Sequence, residues 1–308
     1  MNQLIILCFT LMIIGMYSYF FSLSFFYQFI LFYLCTALCI SLVLTTMNFP
    51  EYHLYPTVKK SKIPSVIYSY WNTKTLPVSV LSCIRSWKKH NPTYKIHVFN
   101  SESIQHLPIV SFRHAKTQQQ IADFLRLYLL SEYGGIWLDA SVYLNQSLDW
   151  VHSYQVHTQC EYVGYKIKPD TNLIENWFMA CVPKSTFISD WKHQFYHIND
   201  FDSISDYVHH LQEHTFLIYE LGEYTNCVCD PHYLTMHLAG LSILSKKSYS
   251  LQLLDAEKGP FLYLSAMKWN LMYLPLVFLI HQGREAPVVK YRGGERSFLD
   301  QTMLSSLL

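Results

Sequence analysis

An α/β fold with parallel strands at its centre is predicted by three features of the chain. The first is a strand–helix–strand opening. IPSVIYSYW, Ile63 to Trp71, is an apolar run that passes into a loop, Leu76 to His90 repeats at helical spacing, and Tyr94 to Phe99 alternates as a second strand. The second is ADFLRLYLLSEYGGIWLDASVYL, Ala122 to Leu144, an amphipathic helix stopped by a Gly-Gly pair and followed by an apolar strand ending on Asp139. The third is length: 308 residues suffice for a large buried core, in one domain or two small ones.

In chain order, the first 50 residues contain no Lys, Arg, Asp, Glu or His. Leu4 to Phe21 and Phe25 to Leu44 are apolar, separated by little more than Ser22 and Ser24. At ~1.5 Å per helical residue, each approaches or reaches the ~30 Å of a bilayer's hydrocarbon. Residues 1–47 are therefore expected to form a transmembrane anchor, as a two-helix hairpin or one long tilted helix. A cleaved signal peptide fits poorly, because no basic residue precedes the apolar stretch and that stretch is about twice the usual length. Residues 48–62 are polar and broken by Pro, as in a linker. The first positive charges are Lys59, Lys60 and Lys62, which favours a cytoplasmic domain over residues 63–308. A Golgi membrane with a lumenal domain is the alternative.

Within that domain, Val80, Ile84 and Trp87 share a helix face, and Asn91-Pro92 ends the helix. Strand, helix and strand together imply a parallel pair with a right-handed crossover. In the next helix, from about Thr117 to Glu132, Ile121, Leu125, Tyr128 and Leu129 face the core, while Asp123 and Arg126 share another face at i, i+3. Gly134 and Gly135 supply the positive φ that a helix end favours. Ile136 to Leu138 form a strand, and Val142 to Leu144 resume an apolar run. Tyr162 to Ile167 is strand-like; Asp190 to His197 and Thr235 to Leu244 are helix-like. Trp269 to Ile280, interrupted by Pro275, is expected to be a buried element, with a membrane-dipping segment as the alternative.

A net charge of +1 and the absence of a long basic run exclude nucleic acid as an expected partner. Cys8, Cys35 and Cys39 lie in the apolar region, and the odd five that remain form no disulfide framework. Cys227-Val228-Cys229 is too isolated for a zinc site. His209, His210, His214, His232 and His237 lack zinc-motif spacing and are expected to be structural or superficial. The sequon Asn145-Gln146-Ser147 sits beside the key strand, where a glycan would crowd it.

Taken in order, IPSVIYSYW, CIRSWKKHNPTYKIHVFN and ADFLRLYLLSEYGGIWLDASVYL resemble the glycosyltransferases with a sugar-binding DxD region, particularly the capsular polysaccharide synthesis protein branch. The resemblance covers Ile63 to Asp149 well and thins afterwards. It implies a GT-A-like, Rossmann-type nucleotide-sugar-binding domain and a hexosyl transfer with retention from a nucleotide-sugar donor to a saccharide or lipid-linked acceptor. Negative charge grows on the departing nucleoside diphosphate and must be stabilised by a divalent metal or fixed cations.

By the same resemblance, Asp139 is the first acid of the DxD and helps hold Mn²⁺ or Mg²⁺, with Ser141 in the place of the second acid. A hydroxyl is a weak ligand for such an ion, so hydrogen bonding from donor hydroxyls to Asp139 is the alternative. Asp123 and Arg126 match an [SA]-D-x-x-R helix motif; Asp123 is expected on the donor's ribose or sugar hydroxyls, and Arg126 on the carboxylates or the donor. An ordinary exposed ion pair is the competing account. Gly135, in YGGIWLD, is counted among the donor-binding positions. Tyr70 and Trp71 end the first strand where a base lies in such folds, with aromatic core as the alternative. In VVKYRGGERSFL, Lys290, Arg292 and Arg296 surround Gly293-Gly294 and could close over a diphosphate, or form a solvated tail. Asn172, Glu175, Asn176 and Trp177 are the candidate acceptor cluster. There Glu175 is expected near the reacting carbon or as a base, unless it lies on the surface.

The missing second acid keeps a second reading open, a non-catalytic membrane-bound sugar-binding or assembly protein derived from a transferase. A phosphotransferase of the haloacid dehalogenase kind ranks last, since it wants a second acid two residues on and its motif near the domain's start.

Overall fold

The computed structural model describes residues 25–46, 61–107, 115, 117–167, 171–213, 233–266 and 286–301. Leu4 to Phe21, most of the linker, the Cys227–Cys229 pair and Trp269 to Ile280 lie outside the described residues.

The second apolar segment forms helix α1, Phe25–Thr46, without a charged residue along its 22 positions. Tyr27, Phe29, Phe32, Leu34 and Leu38 are exposed on it. Among the described residues no helix is long and apolar enough to cross a membrane, so the expected anchor gains no support from the structure.

The strand–helix–strand opening is present as β1 (Val66–Tyr70), α2 (Val78–His90) and β2 (Lys95–Phe99). The two strands are parallel, with Ile67 opposite Ile96. Val80, Ile84 and Trp87 are all buried, as their spacing predicts. Helix α3 (Gln118–Tyr133) begins with a reciprocal capping box between Thr117 and Gln120 and ends on Gly134 at φ 64°. It leads into β3 (Gly135–Leu138), which lies parallel to β1.

There follow β4 (Val142–Leu144), α4 (Asp149–Thr158), β5 (Tyr162–Lys166), β6 (Ile174–Cys181) and α5 (Thr186–Tyr196). Then come α6 (Ile204–Glu213), α7 (Thr235–Leu244), β7 (Leu251–Asp255), α8 (Leu262–Ala266), β8 (Val288–Lys290) and α9 (Gly293–Gln301).

Six strands make one mixed sheet in the order β2-β1-β3-β6-β5-β7, and β4 and β8 make a separate ribbon. Strand β6 runs antiparallel to both β3 and β5, while β7 is parallel to β5. Alternate side chains leave opposite faces of each strand, and both faces are covered. Ile67, Ile136, Leu138, Phe178 and Ala180 join one core with α2 and the ribbon. Tyr68, Trp137, Met179 and Cys181 join the other with α3, α5, α6 and α7. Trp87 ties the ribbon to α2 through its indole N–H, which donates to the Val142 carbonyl at 2.6 Å.

Candidate active site

The site lies at the carboxyl edge of β1 and β3, where an α/β sheet commonly meets its ligands. Asp139 follows β3 directly, and its backbone N–H donates to the Trp177 carbonyl at 2.9 Å. Because β6 is antiparallel to β3, its first residues, Glu175 to Trp177, arrive at this same edge. The chain turns after Asp139 into β4, and the ribbon register sets Val142 opposite Lys290. A backbone hydrogen bond from Tyr291 to the Ser141 carbonyl, at 2.9 Å, secures that pairing.

Both oxygens of Asp139 are engaged. Oδ1 accepts from the Trp137 indole at 3.0 Å and pairs with Arg126 at 3.3 Å. Oδ2 accepts from Lys290 Nζ at 2.7 Å, and the same ammonium donates to Ser141 Oγ at 2.9 Å. Arg126 also pairs with Asp123 Oδ1 at 3.3 Å, donates from Nε to the Ala122 carbonyl, and stacks 5.0 Å from the Trp137 ring. Its NH1 donates to the Asn176 carbonyl, while the Asn176 amide donates to Asp123 Oδ1 at 3.0 Å. The side chains of Arg126 and Asp123 are 4% and 9% exposed, against 27% for Asp139. Asp139 is therefore the acid within reach of a ligand, and Arg126 and Asp123 brace it from behind.

Electrostatics separates the three carboxyls. Burial alone would raise Asp139, but Lys290 and Arg126 outweigh it and hold that carboxyl well below the usual carboxylate range. Burial pushes Asp123 up to about 7, against the pull of Arg126. It likewise pushes Glu175 up to about 7, against the pull of Lys290.

The expected residues fare differently. Glu175 is buried, not superficial, and stands close enough to Asp139 and Lys290 to feel both charges; Asn172 is exposed. Trp71 does meet a basic partner: Arg296 stacks over its ring at 5.1 Å, and the Arg296 Nε has no hydrogen-bond partner among the described residues. Tyr70 points to the opposite face of the sheet, as strand alternation requires. On that face, which α3 covers, its hydroxyl donates to Gln118 Oε1 at 2.6 Å and contacts Ser101.

Two expected donor residues have local structural partners instead of contacts with the acid cluster. Arg292 forms a two-point pair with Glu295, which also accepts from the Arg292 backbone N–H, so its guanidinium is committed locally. Gly135 opens β3, the far end of the strand from Asp139 and about 13 Å away at strand rise. Its φ of +105° and the Val66 carbonyl 3.1 Å from any added Cβ explain the glycine by structure. Asn145 donates its amide to the Ala286 carbonyl at 2.8 Å, a further reason against glycosylation there.

His237, expected to be structural or superficial, stands near the site. On α7 it is buried, and that burial together with Arg126 lowers its imidazole to about 3, leaving it neutral. Tyr233, exposed on the approach to α7, borders a small cavity with Asp123 and Gln120. No local signal places either one at the site, since both depend on how α7 docks against α5 and β6.

The donor set at Asp139 is one carboxylate and one hydroxyl with an ammonium already between them. That set does not fit a divalent cation, which wants several oxygen ligands. Among the described residues, no group of three or more His, Cys, Asp or Glu side chains is arranged to hold a metal.

A family model described as "Capsular polysaccharide synthesis protein" matches residues 45–249. Over 98 residues the chain is 28% identical to the Inositol phosphoceramide mannosyltransferase 3 of Schizosaccharomyces pombe, a match covering 30% of this chain and 28% of that protein. The aligned region thus spans less than a third of that relative's length. Among solved structures, the chain is similar to a glycosyltransferase involved in the glycosylation of the major capsid of PBCV-1, at 11% identity and TM-score 0.39, covering 79% of this chain and 98% of that one. It is also similar to the PaToxG glycosyltransferase, at 12% identity and TM-score 0.37, covering 89% and 95% respectively. Both likenesses are too distant to carry any residue across.

Proposed function

The chain belongs to the capsular polysaccharide synthesis protein family, and from that premise we propose that it is a glycosyltransferase of GT-A-like fold. It moves a hexose from a nucleotide-sugar donor to a saccharide or lipid-linked acceptor, with retention at the anomeric carbon. The observation that carries the reading is the cluster at the end of β3: a half-buried carboxylate, Asp139, clamped between Lys290 and the buried Arg126.

The chemistry follows from those charges. As the bond between the anomeric carbon and the phosphate oxygen breaks, electrons pass to the departing diphosphate. Lys290 is already in place to meet that charge, so little reorganisation is needed at the moment of reaction. Asp139, held anionic by its two cations, is a poor base and serves by accepting hydrogen bonds from donor hydroxyls. Glu175, at about 7, has the proton affinity that suits a general base near neutrality. Arg296 stacked on Trp71 offers a flat cationic surface at the end of β1 for the nucleotide end of the donor.

We place the protein at a membrane through α1, whose exposed Phe29, Phe32, Leu34 and Leu38 would otherwise meet water. A cytoplasmic domain accords with Lys59, Lys60 and Lys62. The curated relative's name puts a mannosyl donor and a ceramide-based acceptor first in any assay.

The test is nucleoside diphosphate release by the full-length protein in lipid nanodiscs, across a panel of nucleotide-sugars. One donor class should be turned over, and Asp139→Ala should lower turnover by about 10²–10³-fold, the usual cost of losing a positioned electrostatic group. Failure of every donor to bind by calorimetry would sink the reading.

A further inference from the structure

We propose that the ammonium of Lys290 stands where a divalent cation would, and that the donor diphosphate is bound without metal. This inference rests on the transferase reading and concerns its binding site. Lys290 Nζ contacts both side chains of the Asp139–Ser141 motif, at 2.7 Å and 2.9 Å. Those are the two groups a metal would have to share.

The placement is built in. Lys290 ends β8 opposite Val142, the Tyr291 N–H fixes the adjoining backbone to Ser141, and the Lys290 side chain is only 10% exposed. The Trp177 ring lies 5.9 Å below the ammonium and favours a cation there. On Asp139, an ionised carboxylate offers about four acceptor positions. Trp137, Arg126 and Lys290 take three of them. A divalent ion at the fourth would sit against two positive charges.

Seen this way, Ser141 is a fitted part. A second acid there would set another negative charge against the ammonium already paired with Asp139 and repel an approaching anion. A hydroxyl instead orients the ammonium without adding negative charge. Of its three N–H groups, two are used by Asp139 and Ser141, and the third, without a partner among the described residues, is offered to a phosphate oxygen.

The experiment is calorimetric titration of full-length protein with nucleoside diphosphates, in EDTA and then with Mn²⁺ or Mg²⁺. Wild-type affinity is expected to agree within about twofold across the three conditions. Lys290→Ala should weaken binding in EDTA by about 10- to 100-fold, the worth of one charge-assisted contact, and Lys290→Arg should keep most of it. A wild-type affinity that rises tenfold or more with metal would overturn the inference while leaving the transferase reading standing. So would Lys290→Ala binding as the wild type does. No nucleotide bound under any condition would overturn both. The wild-type comparison needs no variant, so a misfolded Lys290→Ala cannot obscure the result.

Discussion

Asp123 and Glu175 are buried acids whose protons are bound more tightly in the folded chain than in the unfolded one. Both stand at about 7 when folded, against roughly 4 for a free carboxyl. Between those values these two groups hold more protons in the native state, so their contribution to stability falls as pH rises from about 4 to about 7 and levels off above. Asp139 contributes with the opposite sign. Its folded value lies below the unfolded one, so its stabilisation is present above about pH 4 and lost only on further acidification. The windows do not overlap. Urea midpoints measured between pH 4 and 8 should shift toward a rising profile in Asp123→Asn/Glu175→Gln relative to the wild type, because buried His237, lowered to about 3, contributes with the opposite sign; the same pH profile in the double variant as in the wild type would disprove the assignment. The Asp123–Arg126 pair was legible in the sequence as a motif, but its burial was not. An i, i+3 ion pair looks the same on a solvated face, and only α5, α7 and β6 closing over α3 turns it into a shielded brace for Asp139.

At the scale of elements, local patterning sufficed wherever a segment's neighbours were close in sequence. The β1-α2-β2 opening, α3 with its Gly134 stop, β3 and α7 all lie where periodicity and turn residues place them. Strand β6 was not assigned, because IENWFMAC is buried on both faces and shows no alternation. The β4–β8 ribbon could not be read either. The Lys290–Asp139 contact it creates joins residues 151 positions apart, and no local pattern encodes such a pairing. The same long reach caps a helix. Pro77 precedes α2 and offers no side-chain cap. Instead Asp300 of α9 accepts from the Ser79 backbone N–H at 2.9 Å and from its hydroxyl at 3.0 Å. A carboxylate there also complements the helix dipole. Asp300→Ala should therefore cost about 1 kcal/mol, as loss of an N-cap does, and lower the melting temperature by about 2–4 °C. It should also loosen α9, which carries Arg296, so nucleotide affinity should drop along with stability. A variant melting like the wild type would mean that the cap contributes nothing.

For the molecule as a whole, the question is where the acceptor comes from, and the packing gives a direction. Helix α8 lies against α1. Phe261, just before α8, packs edge-on to Trp177 with ring centres 5.5 Å apart, and Trp177 lies beneath the Lys290 ammonium. The Lys290 backbone N–H reaches the Pro260 carbonyl at 3.3 Å. A short series of contacts thus runs from the apolar surface of α1 to the reacting end of the site. If α1 is held in a bilayer, that end of the site faces the membrane surface, and an acceptor presented by a lipid arrives with its approach already confined to two dimensions. Such confinement raises the effective concentration without any new contact. Full-length protein in nanodiscs should then glycosylate a lipid-embedded acceptor at least about tenfold faster than the matching water-soluble head group. Leu38→Lys, which puts a charge on the exposed face of α1, should reduce the membrane-bound fraction and erase that preference, while nucleotide binding at Lys290 stays unchanged. Equal rates on the two acceptors in the wild type would show that α1 anchors nothing relevant to the reaction, and the acceptor would then have to be sought among soluble saccharides.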